Sequence, residues 1–107
     1  MNESKLMSYI TSDFASKSDM KVGAEEWQAI IQEMLPKFKK AGAIRQTVSQ
    51  IWNKEGVFRI GRIFMYKDEK SFVACQKIFR EFENENSDIN RKISSSRGIV
   101  LDENILT

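Results

Sequence analysis

Arg45, Arg59 and Arg62 stand in two neighbouring stretches of strand-like sequence. Guanidinium groups converging from adjacent strands would make an anion clamp, because each offers a planar fork of donors that fits a carboxylate. Arg45 and Arg59 share a sheet face if the hairpin between them takes the right register. The plainer account is that these are paired or solvated strand residues, or salt bridges between subunits. Tyr9, Trp52 and Tyr66, with Gln46, Gln50 and Asn53, could line a small cavity, since apolar walls with a few polar groups make a ligand pocket. The same aromatics serve equally as core or interface residues with one wet end. The candidate pocket residues are therefore Tyr9, Arg45, Trp52, Arg59, Arg62 and Tyr66.

Several chemistries are excluded by what is missing. The chain has no histidine and one cysteine. That removes the commonest general base near neutral pH, the Ser-His-Asp and Cys-His arrangements, haem ligation by His, and the common zinc sites. No metal site and no cofactor is expected. Cys75 falls on the apolar stripe of a helix, the place of a structural thiol rather than a reactive one. The pairs Glu25-Glu26 and Asp68-Glu69 read as helix-start carboxylates that suit the helix dipole. No catalytic residue is assigned.

The totals fit one domain over residues 1–107, with 103–107 as a loose or partner-docking tail. Of 107 residues, 41% are apolar and 30% charged, enough to build a core without a disulfide or metal. The net charge of +2 makes no electrostatic case for nucleic acid or for an acidic membrane surface. No apolar run approaches the roughly 20 residues of a membrane helix, and the start lacks the apolar segment of a signal peptide. A cytoplasmic protein is expected.

The elements that must position these residues follow from periodicity. Residues 6–14 read as a strand, with Met7, Tyr9 and Thr11 on one face. Residues 15–19 are small and polar, and read as a loop. Over 23–40, Trp27, Ile30, Ile31, Met34, Leu35 and Phe38 recur at steps of three and four, which predicts a helix. Gly42 stands where its left-handed cap belongs, and Pro36 is expected to kink or loosen the last turn. Residues 44–52 predict a second strand, 53–56 a turn, and 57–66 a third strand, apolar on both faces and hence central. Asp68 or Lys70-Ser71 opens a second helix with Phe72, Cys75, Ile78, Phe79 and Phe82 as its stripe. The polar stretch from Glu83 to Ser87 is expected to fray. Ile89 and Ile93 suggest a helical turn, and 98–101 a short last strand.

This order predicts an α+β fold, the β-α-β-β-α-β sandwich with a four-stranded antiparallel sheet and both helices on one face. The passage Gly61-Arg62-Ile63-Phe64-Met65-Tyr66-Lys67-Asp68-Glu69-Lys70-Ser71-Phe72 resembles the strand-to-helix passage of the dimeric α/β-barrel superfamily, which includes the antibiotic-biosynthesis monooxygenase-like and stress-responsive barrel families. The resemblance spans about residues 5–102. It implies a ferredoxin-like sandwich, a homodimer closed through the open sheet faces, and a small cavity between sheet and helices. It implies no particular activity. Two functions are open: a binder of a small, partly apolar molecule, at most monooxygenase-like and cofactor-free, or a non-catalytic dimerisation, sensing or assembly module. RNA binding is a distant third, because the third strand has Gly61 and Ile63 where RNA-recognition domains place stacking aromatics.

Overall fold

A computed structural model describes residues 4–83 and 90–107 of the chain. The elements run β1 (Leu6–Phe14), α1 (Lys17–Ala41), β2 (Ala43–Gln50), β3 (Phe58–Tyr66), α2 (Glu69–Glu83) and β4 (Arg91–Ile99). The four strands form one antiparallel sheet in the order β2-β3-β1-β4. This is the expected ferredoxin-like α+β fold.

The first helix starts earlier than composition suggests. Ser16 takes an extended backbone and its hydroxyl accepts from the Asp19 amide at 3.1 Å, so α1 begins at Lys17 rather than after a loop. Serine near aspartate signals a helix start as readily as a loop. Glu25 and Glu26 consequently lie in the third turn, not the first; Asp19 is the acidic residue of the first turn. Ser16→Ala is expected to cost about 1 kcal/mol, read as a lower urea midpoint at unchanged slope. The helix passes through Pro36, which lies on its exposed side. It ends at Gly42, whose φ of 108° is the left-handed cap and whose amide returns to the Phe38 and Lys39 carbonyls. A Cβ at Gly42 would collide with the Ser71 side chain, so the cap also sets the approach of α2.

Asp68 opens α2, accepting from the Ser71 amide at 2.8 Å and the Ser71 hydroxyl at 2.7 Å. Trp52, expected at the end of the second strand, falls outside it. β2 stops at Gln50, and Trp52 sits in the connecting loop, 88% exposed.

The last strand is nine residues long, not four, and Ile93 belongs to it rather than to a helical turn. Its sequence, with Lys92, Ser94, Ser95, Ser96 and Arg97, carries little apolar signal because most of its side chains face solvent at the sheet edge. Pairing with all of β1, from Leu6 opposite Ile99 to Phe14 opposite Arg91, supplies what propensity does not. Past Glu83, the expected polar stretch lies outside the described residues, as do Ile89 and the Phe82 side chain.

Strand alternation divides the sheet into two unlike faces. Both helices pack on Leu6, Ser8, Ile10, Ser12 and Phe14 of β1 and on Phe58, Ile60, Arg62, Phe64 and Tyr66 of β3. Ile31, Phe38, Phe64, Tyr66 and Cys75 form the centre of the core, with Phe72 and Phe79 packed against it. The opposite face carries Met7, Tyr9, Thr11 and Asp13 of β1 and Arg59, Gly61, Ile63 and Met65 of β3. No element of the described chain covers it.

Candidate functional site

The six candidate residues do not converge. Tyr9, Arg45 and Arg59 lie on the bare face, Arg62 and Tyr66 on the helix face, and Trp52 in the β2–β3 loop. Arg45 and Arg59 do share a face, as the hairpin register allows, but Arg45 stands opposite Met65 while Arg59 stands at the other end of β3.

Arg59 is already neutralised. It grips Asp13, its cross-strand partner, through Nε at 2.5 Å and Nη2 at 2.9 Å. The bidentate hydrogen bond from Arg59, with Lys92 near by, holds the Asp13 carboxyl below its ordinary 3.8. A depressed carboxyl pKa means that the pair's stabilisation is present above the unfolded value of 3.8 and is lost as pH falls through the lower folded value. We expect Asp13→Asn to lower stability slightly at neutral pH, since the pair is a third exposed and screened. The difference from the unsubstituted protein should vanish in urea titrations run below the folded pKa.

Arg62 is the unusual residue. It rises from the middle of β3 into the layer beneath α1 and is only 7% exposed. Its guanidinium lies 4.5 Å from the centre of the Trp27 ring on α1, and Nη2 donates to the Ser12 hydroxyl at 2.8 Å. Burial, and then the charge of Arg91, lowers its pKa to about 10, so it remains a cation at neutral pH. Buried cations are normally matched by an anion. Arg62 has no carboxylate partner among the described residues, and its Nε donates to none of them. Gln46 lies on the same face of the adjacent strand β2, one diagonal step away opposite Phe64. Its Nε2 is likewise buried and donates to none of the described residues.

Elsewhere in the layer, Tyr66 and Ser8 satisfy each other. Tyr66 is fully buried and its hydroxyl donates to Ser8 at 3.0 Å. Burial pushes its pKa up to about 12, so it stays a neutral donor. Cys75 is buried against the core and burial pushes its thiol up to about 11, which makes it the inert structural thiol expected. A shallow hollow of about 120 Å³ opens beside the first turn of α2, lined by Leu6, Met7, Phe72, Arg97, Gly98 and Ile99. None of the six candidates lines it. Among the described residues no group of three or more His, Cys, Asp or Glu could hold a metal ion, and no helix is long and apolar enough to cross a membrane.

Arg62 does not share a face with Arg45 and Arg59. Its true neighbours include Ser12 and Trp27. The signal was present: Ser8 and Ser12 interrupt the apolar alternation Leu6, Ile10, Phe14 on the inward face of β1, and a serine at such a position must find a buried partner.

The fold is shared with solved structures. A dimeric ferredoxin-like protein from an uncultured marine organism matches with a TM-score of 0.85 at 26% identity, over 94% of this chain and 99% of that one. The ActVA-Orf6 monooxygenase of Streptomyces coelicolor, solved with nanaomycin D, matches with a TM-score of 0.67 at 9% identity, over 97% and 94%. SnoaB, a cofactor-independent oxygenase from Streptomyces nogalater, gives 0.53 at 13% identity, over 95% and 97%. At identities as low as the last two, the likeness speaks for the fold alone. No curated protein matches this chain. A protein-family model described as Domain of unknown function (DUF6974) matches residues 3–100, and the chain belongs to that family.

Proposed function

We propose that two copies of this chain close their bare sheet faces over each other into a barrel, and that each copy holds a small, partly apolar molecule between its sheet and its helices. The observation that carries the dimer is the unlike character of the two faces. On the bare face, Met7 and Met65 pair across β1 and β3, next to the pair of Tyr9 and Ile63. The face is also flattened: a Cβ at Gly61 would lie 3.2 Å from the Tyr9 ring, and one at Gly98 would lie 3.2 Å from Met7. An open sheet face with an apolar centre of Met7, Tyr9, Ile63 and Met65 suits association with a second copy. The 26%-identical relative is described as dimeric, which supports a homodimer here too.

The ligand half of the proposal draws support from the polar groups set into an otherwise apolar layer: Ser8, Ser12, Gln46, Arg62 and Tyr66 among Trp27, Ile31 and Phe64. A few polar groups on apolar walls are what fixes a small molecule. A second reading, a dimerisation module without ligand, is favoured by the other half of the layer. There Phe38, Phe64, Phe72, Tyr66 and Phe79 pack ring to ring at 4.8–6.4 Å and fill the space.

Native mass spectrometry of the protein as purified tests both halves. A dimer carrying a small adduct supports the whole proposal. A bare dimer whose thermal midpoint no apolar compound raises leaves only the module. A monomer at micromolar concentration sinks the barrel.

A further inference from the structure

We propose that the layer between β3, β2 and α1 contains an anion subsite, in which Arg62 Nε and Gln46 Nε2 grip an anionic oxygen group, a carboxylate or an enolate-like oxygen, of a mainly apolar ligand; this rests on the ligand compartment proposed above and names the class of molecule that fills it.

Three observations converge on it. Arg62 is 93% removed from solvent, since its exposure is 7%. It is held in place on two sides, by Ser12 at 2.8 Å and by the Trp27 ring at 4.5 Å, so its fork is oriented before any ligand arrives. Two donors in the same layer, Arg62 Nε and Gln46 Nε2, lack acceptors among the described residues.

The missing component is therefore an acceptor. Among the described residues, no ion pair supplies one to Arg62. A neutral carbonyl would satisfy the geometry but not the charge. An anionic oxygen satisfies both, and charge-assisted hydrogen bonds to it are roughly twice as strong as neutral ones. The surroundings set the remainder of the ligand. Trp27, Ile31, Ile10 and Phe64 offer apolar and aromatic contact, which suits a flat or branched hydrocarbon body. The second acidic oxygen or a neighbouring hydroxyl would meet Gln46, diagonal neighbours on adjacent strands being about 7–8 Å apart at the backbone.

A purely structural Arg62 makes a different forecast: it would bind an anionic and a neutral ligand of the same shape alike, because its role would end at Ser12 and Trp27.

The test uses the intact protein and two probes of matched shape, 2-naphthoate and 2-naphthamide. In the unsubstituted protein the Arg62 Nε–H resonance, assigned by its loss in Arg62→Lys, should shift and saturate with naphthoate. Naphthoate should bind about tenfold or more tighter than the amide. Arg62→Met should abolish that preference while the variant stays folded, with a modest fall in melting temperature from the Ser12 hydroxyl left without its partner. If both probes bind equally and the Arg62 resonance stays still, the compartment exists and the anion subsite is wrong. If neither probe moves any resonance of the layer, the compartment itself is wrong and the subsite falls with it. A large drop in melting temperature for Arg62→Met, with no naphthoate preference in the unsubstituted protein, assigns Arg62 to structure and overturns the proposal.

Discussion

Ile63→Asp is expected to give a folded monomer, and Ile60→Asp an unfolded or insoluble chain. The two residues are three apart on β3 and face opposite sides of the sheet. Ile60 is 6% exposed and packs with Phe14 and Met20 beneath the start of α1. A carboxylate there has no partner and no water, a burden of several kcal/mol. That is most of the roughly 5–15 kcal/mol by which a domain is stable. Ile63 stands opposite Tyr9 at the middle of the bare face. In an isolated chain an Asp there remains hydrated and the fold survives. In the dimer proposed here, two copies of the charge would meet in an apolar interface. Circular dichroism reads folding and size-exclusion chromatography with light scattering reads subunit number. If Ile63→Asp stayed a dimer with unchanged dissociation, the bare face would not be the interface. If Ile60→Asp folded normally, the assignment of faces along β3 would be inverted.

Phe64→Ala should cost about 3–5 kcal/mol, the largest loss expected from any single truncation in this chain. Phe64 is fully buried and stacks against three rings: Phe38 at 5.1 Å, Phe79 at 4.8 Å and Tyr66 at 6.4 Å. It joins both helices to the central strand, so truncation leaves a cavity that no one neighbour can fill. For a domain of this size each kcal/mol moves the midpoint about 4–8 °C. Thermal unfolding should therefore fall by tens of degrees, or the variant should be unfolded as purified. Phe64→Leu, which refills most of the volume, should recover more than half of the loss. A fall of only a few degrees in Phe64→Ala would mean that the aromatic cluster is loosely packed and that the layer has room for a ligand at this end as well.

Local periodicity was enough for the elements that are amphipathic by themselves. β1, α1 from Gly23 onward and α2 each carry an apolar stripe against a polar one, and each lies close to where that pattern put it. β3 is apolar on both faces and is central, between β1 and β2. Order and count of these elements imply the ferredoxin-like sandwich, because right-handed crossovers leave few other ways to arrange them. The helix start at Ser16 depended on one side chain reaching the Asp19 amide, a contact that composition reads equally well as loop.

What depended on tertiary structure was pairing. β4 is a strand because β1 offers it a full-length edge, not because Lys92 to Arg97 prefer one. The candidate site was legible only as residue types. Whether Arg45, Arg59 and Arg62 clamp one anion or serve three ends depends on register, and a shift of one residue exchanges the two faces of a strand. The register sends Arg59 to Asp13 on the bare face and Arg62 inward to Ser12 and Trp27. Ser12 and Arg62 are fifty residues apart in the chain. Their encounter comes from the antiparallel alignment of β1 with β3, which no spacing within either segment encodes. Local pattern therefore specifies a sandwich with arginines in its middle strands. Only the folded sheet decided which arginine is buried without a counter-charge, because burial is a property of the face and the face is set by hydrogen bonds between strands.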